Sequence, residues 1–208
     1  EIKKYSNKNI KIAFDEWNTY VEATPPYFIE NYNIADAIYA ASLLNACINR
    51  GDIISNTGIY HLINVMGNYR IEKKKIWKTP TTIVLELYTK LHKGKILKSV
   101  VNSSNFVSFK LGKQPEYKNN KLIDSAVTMN GKHMCMSVVN KSSSEKILLK
   151  VPYLDRIAEN YCIEGSNKVD LNTYANTSKV KIKQNSLKTN KGFLILPPHS
   201  ISVVLFNI

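Results

Sequence analysis

The texture of the chain changes once, near residue 93, and that change limits the folds open to it. Before it, short apolar runs alternate with stretches of helical periodicity. Lys11-Ile12-Ala13-Phe14 reads as a buried strand that ends at Asp15-Glu16-Trp17-Asn18. A loop with Pro25-Pro26 follows, and Asn33 then suits a helix N-cap, with Asp36 as a carboxylate in the first turn. Ala37, Ile38, Ala41, Leu44 and Ile48 recur at helical spacing, and Gly51 after Arg50 is a natural stop. Ile53-Ile54-Ser55 is a second candidate strand, followed by a long loop through Asn64 and Tyr69. Thr79 caps a second helix with Pro80 at its first position; Val84, Leu87, Tyr88 and Leu91 form its stripe, and Gly94 ends it. Strand, helix, strand, helix is the order of a parallel α/β structure.

After residue 93 the helical periodicity is gone. Ile96–Val101, Phe106–Leu111, Ser125–Met129, Cys135–Asn140, Lys146–Val151, Lys179–Lys183, Phe193–Leu196 and Ile201–Phe206 are short β-rich runs. Turn formers separate several of them, and Asn130-Gly131 is the strongest hairpin signal in the chain. Many short strands without helices predict an antiparallel sandwich, with Val100, Phe109, Val138, Leu148, Leu194 and Val204 in its core.

Composition narrows the function classes. The 208 residues are 44% hydrophobic and 22% charged, which is ordinary for a globular protein, and no apolar run is long enough to span a bilayer. Cys47, Cys135 and Cys162 are odd in number and far apart, so neither a disulfide framework nor a metal-binding spacing is expected. The net charge of +13 is unevenly placed. Residues 1–66 carry five basic and seven acidic residues, and the remainder twenty-four basic and nine acidic. The basic residues are scattered lysines apart from Lys73-Lys74-Lys75, and only Arg50, Arg70 and Arg156 offer the bidentate fork favoured for reading bases. Solvated surface charge is the reading, with no nucleic acid and no membrane as partners. The chain starts at Glu1 with no signal-peptide core behind it. It reads as a piece of a longer polypeptide, and the cytoplasm is the favoured compartment.

Asp15-Glu16-Trp17-Asn18 is the segment richest in chemistry. In a parallel α/β barrel, catalytic groups stand at the C-terminal ends of strands, where loops build the pocket. Alternation sends two adjacent carboxylates in opposite directions, so only one can face the barrel mouth. A carboxylate beside an indole and an amide suits sugar chemistry, as nucleophile or acid/base. A solvated strand end with a structural Trp is the alternative.

Three blocks in order, Phe14-Asp15-Glu16-Trp17-Asn18, Tyr32-Asn33-Ile34-Ala35-Asp36-Ala37 and His61-Leu62-Ile63-Asn64-Val65, resemble the C-terminal portion of glycoside hydrolase family 51 α-L-arabinofuranosidases. That family's runs are close to DEWN, YN-x-x-DA and QLVNV. Leu196-Pro197-Pro198-His199-Ser200-Ile201-Ser202-Val203 is similar to its last strand, and Val139-Asn140-Lys141 to a sandwich segment. The resemblance implies α/β plus all-β architecture. The C-terminal part of a (β/α)8 barrel, its last two β/α units, would occupy residues 1–92, and a jelly-roll-like antiparallel β-sandwich residues 93–208. It implies a retaining exo-glycosidase releasing terminal α-L-arabinofuranosyl groups from arabinose-containing polysaccharides or oligosaccharides, with Glu16 as nucleophile and Asp15 structural. Trp17, Asn18, Tyr20 and His61 would be substrate-binding. The acid/base Glu of such enzymes follows an Asn on an earlier strand. No Asn-Glu pair precedes Glu16, so the rest of the barrel is an expected partner, along with further copies of the chain.

His61 stands where the family has Gln, and an imidazole hydrogen-bonds with different geometry. His92, His133 and His199 are isolated and read as structural, and no metal or other cofactor is expected. Tyr27, Tyr32, Tyr60 and Tyr69 could line a sugar cleft, and Asn64 reads as a loop tie. The sequons at Asn102, Asn140 and Asn176 read as products of an Asn-rich composition. Two other functions stay open: a non-catalytic carbohydrate-binding or structural sandwich, and a basic polyanion-binding domain.

Overall fold

A computed structural model describes residues 4, 8, 10–19, 31–112 and 114–208. Strands β1 (Ile12–Trp17) and β2 (Ile54–Ile59) pair in parallel, joined in sequence by helix α1 (Ile34–Asn49). A parallel pair needs such a crossover, because no tight turn can reverse the chain twice. α1 starts where its sequence dictates. Asn33 Oδ1 accepts from the amides of Ala35 (2.8 Å) and Asp36 (3.3 Å), and Asp36 Oδ2 accepts from the Asn33 amide at 2.8 Å. Three backbone donors are thus satisfied, those of Asn33 and Asp36 reciprocally.

A hairpin, β3 (Tyr69–Glu72) and β4 (Lys75–Lys78), stands where the sequence suggested a loop. Its turn places Lys73 in the left-handed region (φ 52°) with none of the Asn or Gly that marks such turns. Helix α2 (Pro80–Leu91) follows its Thr79 cap, and stops three residues short of Gly94. Gly94, at φ 79°, turns the chain instead into the sheet. A Cβ there would lie 2.2 Å from the Met129 carbonyl oxygen, so only glycine fits.

The remaining strands are β5 (Lys95–Leu97), β6 (Asn105–Ser108), β7 (Tyr117–Lys121), β8 (Ile123–Asn130), β9 (His133–Asn140), β10 (Ile147–Leu149), β11 (Ile157–Glu164), β12 (Ile182–Gln184), β13 (Lys188–Asn190), β14 (Phe193–Leu196) and β15 (Ser200–Asn207). Six form an antiparallel sheet in the order β12-β11-β15-β9-β8-β5, and β10-β14-β13 form a second sheet. β6 and β7 pair as a separate ribbon. Asn130-Gly131 makes the β8–β9 turn, as its sequence predicts.

The six-stranded sheet is buried on both faces. Cys135 and Val139 of β9 and Ile201 and Val203 of β15 share a core with α1 and α2, including Ala37, Ala41, Val84 and Leu87. Their alternates, Met136, Val138, Val204 and Phe206, share a second core with Leu194 and Leu196 of the small sheet. The mostly apolar runs of β9 and β15 follow, since neither face meets water. Of the six residues expected in the sandwich core, Val138, Leu194 and Val204 are fully buried. Val100, Phe109 and Leu148 are instead 86%, 77% and 55% exposed. The strands end at Leu97 and Ser108, which leaves Val100 and Phe109 in connections. In β10, Ile147 and Leu149 face the core, and alternation turns Leu148 outward.

The amino end of α1 is also docked. The amides of Ile34 and Ala35 donate to the carbonyls of Asp170 (2.9 Å) and Lys168 (3.2 Å). The buried Asp170 carboxylate accepts from Ser166 Oγ (2.8 Å) and the Asn167 amide (3.1 Å), and Lys179 Nζ lies 2.7 Å away. The Lys179 ammonium, ahead of these hydrogen bonds, holds the Asp170 carboxyl down to about 2. An unfolded Asp titrates near ~3.9. Its depressed folded value therefore adds stability that is complete well above that pH and is lost as pH falls through about 2. Asp170→Asn should lower unfolding free energy near neutrality by about 1–2 kcal/mol, discounted for the solvent-exposed Lys179. In urea titrations the gap between variant and parent should close as pH is lowered from 5 toward 2.

Candidate active site

β1 delivers Asp15-Glu16-Trp17 to its C-terminal end, and the backbone there is irregular. From Phe14 to Trp17 three steps of β1 match two steps of β2, Thr57 to Ile59. Gly58 lies against this bulge, where a Cβ would approach the Asp15 carbonyl oxygen to 3.3 Å. A bulge re-aims side chains, so simple alternation does not carry through Asp15 and Glu16. Both carboxylates are exposed and line one shallow depression of about 400 Å³ with Ile59, Tyr60, His61 and Leu62.

The residues beneath that depression form its frame. Trp17 is 6% exposed and belongs to the core with α1 and α2; its Nε1 donates to Thr57 Oγ1 at 2.6 Å. Asn18 Nδ2 donates to the carbonyls of Tyr60 (2.6 Å) and Met66 (3.1 Å), and its Oδ1 accepts from the Thr19 amide at 2.9 Å. The sequence suggested sugar contacts for both side chains; the structure places the indole in the core and commits the amide to backbone. Tyr20 lies outside the described residues.

His61 is exposed, and its ring stacks on Tyr60 with centroids 3.7 Å apart. Its carbonyl accepts from Asn68 Nδ2 at 2.8 Å, while the Asn68 carbonyl accepts from the hydroxyls of Thr79 (3.0 Å) and Thr82. Asn68 thus couples the depression to the cap of α2, a role no motif announced. Asn64 ties down its loop, with Nδ2 and Oδ1 bonded to the carbonyl (3.2 Å) and amide (2.8 Å) of Ile71. The arrangement offers a carboxylate pair, an imidazole and a phenol on one solvent-facing surface held by a rigid floor.

The model of the alpha-L-arabinofuranosidase C-terminal domain matches residues 15–200. The chain belongs to that family. A curated relative from Streptomyces lividans, an intracellular exo-alpha-(1->5)-L-arabinofuranosidase, is 24% identical over 193 residues, which is 84% of this chain and 28% of that protein. Among solved structures, the glycoside hydrolase family 51 α-L-arabinofuranosidase of Thermotoga petrophila is 25% identical with a TM-score of 0.82. The arabinose complex of the Thermotoga maritima α-L-arabinofuranosidase is 24% identical with a TM-score of 0.84. Each is matched over 95% of this chain and 43% of its own. The arabinofuranosidase C-terminal chain therefore spans less than half the length of these relatives.

Because Asn18 closes three backbone groups, Asn18→Ala should strip partners from Tyr60 and Met66 at once. A loss of about 1–3 kcal/mol in unfolding free energy is expected. Hydrogen exchange should locate it, with faster exchange concentrated at residues 58–68.

Proposed function

We propose that this chain completes a retaining exo-α-L-arabinofuranosidase, with Glu16 as its nucleophile. Residues 1–92 would supply the last two strand–helix units of a (β/α)8 barrel, and residues 93–208 the sandwich. The observation that carries this reading is the position of Glu16. It stands at the C-terminal end of a strand in a parallel β–α–β unit, the end where barrels build active sites. The outer surface of the unit supports the barrel. Ile10, Ile12 and Phe14 are 47%, 39% and 37% exposed, apolar side chains that neighbouring barrel strands would cover.

In this mechanism the Glu16 carboxylate attacks the anomeric carbon of a terminal arabinofuranosyl group. A carboxylic acid from elsewhere in the polypeptide protonates the departing oxygen. That second residue, now a base, draws a proton from water, which attacks the same carbon and releases arabinose and free Glu16. His61 would hold a sugar hydroxyl from the depression's edge, with Trp17 and Asn18 fixing the backbone beneath.

In the complete enzyme, Glu16→Gln should lower turnover of an aryl α-L-arabinofuranoside by several orders of magnitude, since no glycosyl-enzyme can form. A mechanism-based furanosyl inactivator should label Glu16 in a peptide map, and labelling of Asp15 would overturn the assignment.

The 208-residue chain alone should be inactive. A barrel needs about 250 residues, and retaining hydrolysis needs a second carboxyl about 5–5.5 Å from the first. Assays of the chain with and without the rest of its polypeptide test this, and substantial turnover by the chain alone would refute it.

A further inference from the structure

A second, larger cavity lies beyond His61. His61 and Leu62 line the depression beside Glu16, and two residues later Asn64 and Val65 line a cleft of about 830 Å³. The cleft separates the β3–β4 hairpin from the 171–175 segment of the sandwich side, with Tyr32, Arg70, Trp77 and Tyr174 on its walls. Its volume lies within the roughly 300–1,000 Å³ usual for ligand sites.

The floor is rigid and its polar groups are largely committed. Trp77 Nε1 donates to the Asn172 carbonyl at 3.1 Å. The Asn172 amide in turn bonds the carbonyls of Lys78 (3.0 Å) and Val180 (2.9 Å) and the Val180 amide (2.7 Å). Discrimination is therefore left to shape and charge, with Arg70 and Glu72 in the lining and further cations on the hairpin turn beside it. Residues 70–75 carry Arg70, Lys73, Lys74 and Lys75 against one carboxylate, Glu72. Glu86, the next acidic residue along the chain, is paired with Lys78 at 2.7 Å.

Tyr174 gathers two of these cations. Lys75 Nζ lies 4.4 Å and Lys73 Nζ 5.4 Å from its ring centroid, and Lys75 also donates to the Tyr174 carbonyl at 3.1 Å. Both ammonium groups stand within 5.4 Å of one ring centroid, so they lie no more than about 10 Å apart and repel, a repulsion that an anion between them would offset. Trp77 packs edge-on to the same ring at 6.3 Å.

We propose that this cleft binds an acidic sugar unit, a hexuronate within a polysaccharide. Its carboxylate would sit between Lys73 and Lys75, and its C–H face against the cleft wall. A nucleic acid fits less well. Base stacking needs open aromatic faces, whereas Trp77 and Tyr32 are 9% and 3% exposed and the Tyr174 ring already carries the lysines. The site extends beyond the hydrolase reading and does not depend on Glu16. Its assay reads binding, so failure here and failure of the Glu16 assignment are separate results.

The test is calorimetric titration of the complete polypeptide with trigalacturonate, at low and at moderate salt. Saturable binding is expected, weakening as salt rises. It should fall at least tenfold in the K73Q/K75Q double variant and in Tyr174→Leu, and stay unchanged in Lys132→Gln at the distant β8–β9 turn. Absence of saturable binding would overturn the proposal. So would equal binding by K73Q/K75Q, or a single-stranded DNA oligomer that binds as tightly as the uronate.

Discussion

The side-chain amide of Asn45, 1% exposed on α1, joins four elements. Its Nδ2 donates to Asp124 Oδ1 on β8 at 2.6 Å. Its Oδ1 accepts from Ser137 Oγ on β9 at 2.6 Å and from the Tyr88 hydroxyl on α2 at 3.0 Å. Asp124 is paired in turn with Lys141 at 2.8 Å. Burial drives the Tyr88 phenol well above its ordinary range, so it remains a protonated donor. A buried polar network of this kind is tolerable only when every member is satisfied, and that condition admits one placement of the helices on the sheet. Asn49 reinforces it by donating to the Ser125 carbonyl at 2.8 Å.

From that docking the site follows. The small residues Ala37, Ala40 and Ala41 are each at most 1% exposed, which brings α1 close to its neighbours. β1 and β2 are paired on either side of the crossover, and Trp17 anchors β1 to the helical core. The bulge ahead of Trp17 then presents Asp15 and Glu16 to solvent rather than burying them. The sandwich side contributes the 166–170 turn that receives the α1 amino end and the 171–175 segment that walls the larger cleft. The two textures of the chain thus share one helix–sheet core.

Much of this was legible where a local interaction decides the structure. Asn33 with Asp36, Thr79 with Pro80, and Asn130-Gly131 each satisfy or shape backbone within a few residues, and each element starts or turns where they stand. β9 and β15 were legible because burial on both faces demands apolar residues without alternation. β3, β4, β7, β11 and β13 were not. Their sequences are polar or charged at many positions, and they are strands because a neighbouring strand supplies hydrogen bonds, a condition no single segment encodes. The exposed Val100, Phe109 and Leu148 failed for a related reason: apolar character says a residue can be buried, while an opposing layer decides whether it is.

At the site the division is similar. The run Asp15-Glu16-Trp17-Asn18, with its companion blocks at Tyr32 and His61, was enough to indicate the family. Sequence alone also set the caps, the hairpin turn at Gly131 and the switch from helical to strand grammar, because these depend on contacts within a turn or two. The duties of Trp17 and Asn18, the coupling of Asn68 to the α2 cap, and the meeting of Lys73 and Lys75 over Tyr174 were decided only by tertiary structure. Each joins groups far apart in sequence or carrying no local signature. Their partners are chosen by how α1 and α2 dock on the sheet, a geometry set by the summed packing of the whole core.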